Sequence, residues 1–213
     1  MTLPSLDLWK YELRARVAGH RLIAGLDEVG RGPLAGPVVA ACVVLPDGFS
    51  LDGINDSKKL TERQRDRAEV RIRAEAVAIG LGVVEPETID RINILQAARQ
   101  AMREAFLLLD PPPDCVLIDG PPVPAFPCPH QQAIVGGDGL CASIAAASII
   151  AKVARDRMMR AYDAVYPEYG FAGHKGYGAS KHLAALRAHG PCPIHRRSFA
   201  PVAACFGRPS PAE

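Results

Sequence analysis

The sequence predicts an α/β domain built on a mixed sheet. Two kinds of segment alternate along it: short apolar runs closed by Gly or Pro, and longer stretches with helical spacing. A tight glycine-rich turn joins the first two runs, which favours an antiparallel pair, and the later helices and strands interleave.

Taken in order, Leu6 to Val17 has room for a short helix that carries Trp9 and Tyr11 as a lid on the core. Arg21 to Leu26 is short and apolar, and Val38 to Leu45 is β-branched between Pro37 and Pro46, so both read as strands. Alternation along the first strand sends Asp27 and Glu28 to opposite faces, so a shared site requires the strand to end or bulge there. Gly30, Gly32 and Gly36 permit this, and let a ligand approach the backbone closely, with Arg31 as a cation among them. Asp52 to Leu60 is a polar loop. From Thr61 the run TERQRDRAEVRIR has few core positions and reads as an exposed helix.

Ala76 to Val84 reads as a third strand ended by Pro86. Ile92, Leu95, Met102, Phe106 and Leu109 then recur at helical spacing, one stripe for a sheet to bury, and Pro111 to Pro113 stop the helix. Cys115 to Ile118 is a fourth strand, followed directly by Asp119-Gly120. A proline-rich connection leads to a fifth around Ala133 to Val135. Cys141 to Ala164, rich in Ala, Ile and Val, is expected as a mostly buried helix with Lys152, Arg155 and Asp156 toward its polar side. A last helix fits Ser180 to His189, with Ser180 as N-cap and Gly190-Pro191 as its stop.

At 213 residues with 48% hydrophobic content, one domain over residues 1–213 is the default. No apolar run reaches the roughly 18 residues that span a bilayer, and no signal-peptide layout opens the chain, so a cytoplasmic protein is expected. The six cysteines form no C-x-x-C pair, which favours reduced thiols over disulfides or zinc. Net charge is only +2, but from Phe171 to Ala212 there are six basic residues and no acidic one. Residues 171–213 therefore read as a basic substrate-binding region suited to a polyanion.

Three of the five expected strands carry acids at or just beyond their C-terminal ends: Asp27 with Glu28, Asp119, and Asp138. Spacing alone leaves open whether these strands lie side by side, and Asp119 and Asp138, each beside glycine, also suit turns.

The larger pattern is more specific. DEVGRGPLAGPVVAA from Asp27, DSKKL at Asp56 to Leu60, LIDG at Leu117 to Gly120 and GGD at Gly136 to Asp138 occur in that order. ASIIAKVARD at Ala147 to Asp156, YGFAGHKGYG at Tyr169 to Gly178 and GPCPIHRRSF at Gly190 to Phe199 follow. Together they closely resemble the type 2 ribonucleases H, in particular the bacterial ribonuclease HII branch, over nearly the whole chain. The related HIII branch usually has an extra N-terminal domain, whereas only Met1 to His20 precede the first strand here.

The resemblance implies a ribonuclease H-like fold with a small helical C-terminal region, and Asp27, Glu28, Asp119 and Asp138 as catalytic, metal-holding acids. Four clustered carboxylates repel one another unless cations compensate. Oxygen donors favour Mg²⁺ or Mn²⁺ over zinc, and two such ions can activate water on one side of a phosphodiester and stabilise the leaving oxygen on the other. The implied reaction is endonucleolytic cleavage of RNA in RNA–DNA hybrids and incision 5′ of ribonucleotides embedded in duplex DNA, leaving 3′-hydroxyl and 5′-phosphate ends.

By the same resemblance, Gly30, Arg31 and Gly32 contact the ribose hydroxyl and adjacent phosphate, and Tyr177 packs on the sugar past the scissile step. Lys58, Lys152, Lys175, Arg196 and Arg197 are candidate phosphate contacts, while His174 and His195 favour structural roles. A monomer is expected, and the tail FGRPSPAE shows no legible replication-clamp motif. The rival readings are a non-catalytic hybrid-binding module, disfavoured by the complete acid set, and a small-molecule metal phosphatase, disfavoured by the basic C-terminus.

Overall fold

The computed structural model describes residues 8–206, so the first two residues of the expected N-terminal helix, and the tail after Phe206, lie outside the described residues. Five strands share one sheet: β1 (Ile23–Val29), β2 (Val38–Val44), β3 (Ala78–Val84), β4 (Cys115–Asp119) and β5 (Gln131–Ile134). Their order is β3-β2-β1-β4-β5. β1–β2 and β2–β3 are antiparallel, whereas β1–β4 and β4–β5 are parallel, so the sheet is mixed as predicted. In consequence the C-terminal ends of β1 and β4 lie side by side.

The helices are α1 (Lys10–Val17), α2 (Glu62–Glu75), α3 (Pro86–Ile92), α4 (Ile94–Leu107), α5 (Ala142–Val165), α6 (Phe171–His174), α7 (Ser180–His189) and α8 (Ala200–Ala203). They cover both faces of the sheet, which is why β2 is buried throughout. Its Ala40, Cys42 and Val44 pack toward α4, and its Val39, Ala41 and Val43 toward α5. None of the described helices is long and apolar enough to cross a membrane. All six cysteines are free.

Several local expectations change. Pro86 opens α3 at its first turn instead of merely ending β3, and Asn93, at φ 67°, breaks the expected single helix into α3 and α4. The expected stripe is buried at Met102, Phe106 and Leu109 and widened by Ala97, Ala98, Ala101 and Ala105, while Leu95, on the same face but in the first turn of α4, is 41% exposed. The alanines mark a close approach: a Cβ on Gly80 or Gly82 of β3 would lie 1.8 or 2.0 Å from the Ala105 or Ala101 carbonyl oxygen. Where backbone meets backbone, alanine fits and leucine does not. α7 begins at Ser180 itself after Ala179, with no side-chain cap. Arg155 and Asp156 are buried, not on a polar face of α5.

α1 does more than cover the core. Its Glu12, 2% exposed, accepts hydrogen bonds from the Ser143 N–H and Oγ (2.8 Å each) and from Cys141 Sγ (3.1 Å) at the start of α5. A carboxylate there satisfies an orphan amide and complements the helix dipole.

The histidines of the C-terminal region are structural, as expected. His182 Nδ1 lies 2.8 Å from the Tyr177 carbonyl and must donate; its Nε2 then accepts from His195 Nε2 at 3.0 Å, whose Nδ1 accepts the Cys192 N–H. This chain is consistent only with both rings neutral. Burial holds His182 below the usual imidazole value and pushes His195 down to about 4. The unfolded chain takes up these protons near 6.5, so this part of the stability is complete above that pH. It is lost as pH falls toward 4, by an amount on the order of 2 kcal/mol. Ring resonances of His195 are expected to stay in the neutral form at pH 5; titration near 6.5 would show that the chain of hydrogen bonds is not there.

Candidate active site

β1 passes straight through the Asp27-Glu28 pair. Regular pairing continues from Asp27 opposite Ala41 to Val29 opposite Val39, so the strand neither ends nor bulges where a shared site was expected to require it. The two side chains do diverge. Asp27 is buried at 6% exposure, while Glu28 is partly buried and its Oε1 accepts from Arg31 Nη1 at 3.2 Å.

The parallel register of β1 and β4 pairs Leu26 with Ile118, so the next residues on the two strands are Asp27 and Asp119. Asp119 Oδ1 accepts the Gly137 N–H at 2.7 Å, which ties the end of β4 to the short 3-10 turn Gly137–Gly139 that carries Asp138. Through these links one carboxylate oxygen each from Asp27, Asp119 and Asp138 comes within 4.8 Å of the others. Glu28 lies outside that triad, yet close enough that its charge acts on Asp27 and that of Asp119 acts on it.

The electrostatics are those of acids lacking enough positive charge. Burial, then the charges of Glu28 and Asp119, push the Asp27 carboxyl well above the usual range, partly offset by the nearby Ser148 hydroxyl and by the Glu28 N–H, which donates to Oδ1 at 2.7 Å. That hydroxyl is itself held by Ser57 at 2.8 Å. Burial also raises Glu28, against the opposing Arg31, and raises Asp119, against the Gly137 N–H. Lys58 Nζ reaches Asp138 Oδ2 at 3.0 Å, from a side chain 77% exposed. A buried set of hard oxygen donors with excess negative charge fits a divalent cation of the Mg²⁺ or Mn²⁺ kind, and offers no sulfur or imidazole for a softer metal.

Beside the acids, the loop 30–37 is laced to two later segments. The Leu34 N–H donates to the Gly176 carbonyl (2.8 Å), the Gly36 N–H to that of Ile194 (2.9 Å), and Ala35 bridges to His195. Tyr177, 47% exposed, lies 3.5 Å from where a Cβ on Gly32 would stand, so these two candidate substrate contacts are neighbours.

Two buried arginines do the lacing. Arg155 donates to the carbonyls of Pro37, Ala35 and Lys175, and Arg196 to those of Gly36, Arg31 and Gly30. Arg196 was expected on phosphate; it is 0% exposed, with its donors spent on the backbone, so in this structure it reaches no external ligand. Arg155 was not anticipated as part of the site. Its signal was available: Ser148, Ala151, Arg155 and Met159 recur at i, i+3, i+7 and i+11, a single helical face, and all four are buried.

The other candidate cations differ in freedom. Lys152 Nζ sits on Asp156 Oδ1 at 2.6 Å with 20% of its side chain exposed, and Lys175 Nζ binds the Ala172 carbonyl. Arg197 is exposed, its N–H held by Asp90 and its guanidinium over Phe206.

Comparison with known proteins identifies the family and the fold. The family model for ribonuclease HII matches residues 24–202, a span that includes all four acids and both arginines. The chain is 57% identical over 197 residues to a ribonuclease HII from Geobacter sulfurreducens, covering 92% of this chain and 90% of that one. Among solved structures, the ribonuclease H2 of Pyrococcus horikoshii OT3 superimposes with a TM-score of 0.73 at 26% identity, covering 87% of this chain and 97% of that one. The ribonuclease HII in a PCNA complex from Archaeoglobus fulgidus does so with a TM-score of 0.72, also at 26% identity, covering 84% and 95%. The mixed sheet with its flanking helices is thus a ribonuclease H-like fold, and the chain belongs to the ribonuclease HII family, endonucleases that hydrolyse the RNA of RNA–DNA hybrids.

Proposed function

We propose that this chain is a divalent-metal-dependent endonuclease that cleaves the RNA strand of hybrids and incises 5′ of single ribonucleotides embedded in duplex DNA, leaving 3′-hydroxyl and 5′-phosphate ends. The observation that carries the reading is the convergence of Asp27, Asp119 and Asp138 within 4.8 Å, next to the exposed Arg31 and Gly32 of the glycine loop and Tyr177. Those three acids, with Glu28 at the margin, would hold Mg²⁺ or Mn²⁺, which when bound supplies charge compensation and an activated water for in-line attack on the phosphodiester.

The chain's own residues do the rest. The Gly137 N–H fixes the carboxylate of Asp119, and the Glu28 N–H, 2.7 Å from Oδ1, that of Asp27. Lys58 neutralises Asp138 at rest, and its flexible, exposed ammonium can exchange that contact for a phosphate oxygen. The Gly30–Gly32 backbone approaches the minor groove, where a 2′-hydroxyl distinguishes RNA from DNA, and Tyr177 stacks on the following sugar. Lys175 and Arg197 line the approach as weaker phosphate contacts, and a monomer suffices because one chain supplies every residue of the triad.

A nicking assay on duplex DNA containing one ribonucleotide tests this. Cleavage 5′ of the ribonucleotide is expected with Mg²⁺ or Mn²⁺ and none with chelator. The Tyr177→Ala variant should lose roughly 10- to 100-fold in kcat on that substrate while binding the duplex within about threefold of the parent. No cleavage in either metal, or equal losses in rate and binding for Tyr177→Ala, would refute the respective claim.

A further inference from the structure

Arg196 carries its charge 0% exposed, and each of its hydrogen bonds goes to a carbonyl, none to a carboxylate. Arg155 beside it is held in the same way. Burying a cation without a hydrogen-bonded anion is unfavourable, and the carbonyl dipoles, the Phe199 ring 5.2 Å away and the more distant charge of Asp90 only partly compensate. An apolar side chain would leave these carbonyls unpaired, so the cation both satisfies them and fixes their direction, and what that direction serves is the question.

The identity of the gripped carbonyls supplies the answer. Arg196 Nη2 donates to Gly30 O at 2.6 Å and Nη1 to Arg31 O at 3.0 Å. Each of those carbonyls shares a planar peptide unit with the next residue's N–H, those of Arg31 and Gly32. Both peptides are trans, so the two N–H groups point away from the guanidinium. Arg31 and Gly32 are exposed, and neither N–H donates to any group among the described residues. Two free donors therefore stand outward on peptide planes whose inward oxygens are clamped by one buried cation. Hydrogen bonds in series polarise one another, so the clamp makes those N–H groups better donors and prevents the glycine loop from turning them away.

We infer that Arg196 is a positioning residue for ribose recognition, acting through the Gly30–Arg31 and Arg31–Gly32 peptides to hold two polarised amides toward the 2′-hydroxyl of the ribonucleotide. The inference rests on the proposed reading of the glycine loop as the ribose contact. Arg155 has a different share of the work: it binds Pro37 O, Ala35 O and Lys175 O, and so fixes the base of the loop and its neighbour near Tyr177.

The test compares affinities in metal-free buffer, where no turnover occurs, for two duplexes of one sequence, all-DNA and carrying a single ribonucleotide. The parent protein should prefer the ribonucleotide duplex. Arg196→Lys keeps the charge but cannot span Gly30 O and Arg31 O together, and should lose about tenfold of that preference while its all-DNA affinity stays within about threefold. A merely structural brace would lower the melting temperature and leave the ratio intact, and that result would overturn the inference. If the parent protein itself shows no preference, the reading of the loop falls, and the inference with it. Should Arg196→Lys fail to fold, the parent protein decides. The ¹⁵Nε resonance of Arg196 is expected to shift on adding the ribonucleotide duplex and not the all-DNA duplex, and an unmoved resonance overturns the proposal.

Discussion

Replacing Asp27 with Asn is expected to reduce cleavage by about a thousandfold or more while the fold and much of the affinity for a hybrid survive. The side chain is 6% exposed and shares the space within 4.8 Å with oxygens of Asp119 and Asp138, so a neutral amide of the same shape removes a metal donor without opening a cavity. The sign of the stability change follows from the same surroundings. Burial and the neighbouring carboxylates hold the Asp27 carboxyl well above its usual value, so its ionised form opposes folding near neutral pH. Asn relieves that repulsion, and the melting temperature of the variant without metal should equal or exceed that of the parent. Calorimetry should show weakened Mn²⁺ binding, and Asp119→Asn should behave alike. Turnover near the parental rate in either variant would dissociate these acids from the chemistry.

Gly25→Ala is expected to cost about 3 kcal/mol of stability or more, the largest effect anticipated for so small a change. A Cβ there would sit 2.1 Å from the backbone carbon of Ser143 and 2.3 Å from the Ile144 nitrogen, at the first turn of α5. Backbone cannot yield as the end of a long side chain can, so helix and strand must separate. That movement also reaches the chemistry, because Asp27 is two residues further along β1 and Asp138 precedes α5 by one short turn. Denaturant unfolding checks it, with Gly48→Ala as a comparison: Gly48 has φ +76° but nothing within 4 Å of its added Cβ, and should lose only about 1 kcal/mol. Equal midpoints for Gly25→Ala and the parent protein would mean that the strand and helix are not in contact as described.

How far the site was legible depended on whether each residue's part was local. Asp119 at the end of an apolar run and Asp138 in a glycine turn are features of a few neighbouring residues, and they stand where those residues suggested. Leu95 shows the limit. It shares a helical face with the buried Met102 and Phe106, yet in the first turn of α4 it stays 41% exposed, and the alanines beside that face are explained only by Gly80 and Gly82, remote in sequence, whose missing side chains let the backbones meet. Arg196 and Lys152 show the same limit for charge. A basic residue in a basic segment reads as solvated or bound to phosphate, yet whether its cation meets water, a carbonyl or Asp156 depends on what folds over it.

Taken by itself, then, the amino-acid order determined the mixed α/β class, most strand positions, Asp119 at a strand end with Asp138 in a glycine turn and, through its run of motifs, the family. These follow from periodicity, glycine and proline chemistry, and short stretches of chain that carry their meaning wherever they are placed. Only the tertiary structure decided that β1 lies beside β4, that Asp27, Asp119 and Asp138 meet while Glu28 stands apart, and that Arg155 and Arg196 are buried beneath the glycine loop. Strand neighbours and burial are set by which distant surfaces exclude water together, and that is a property of the packed chain as a whole.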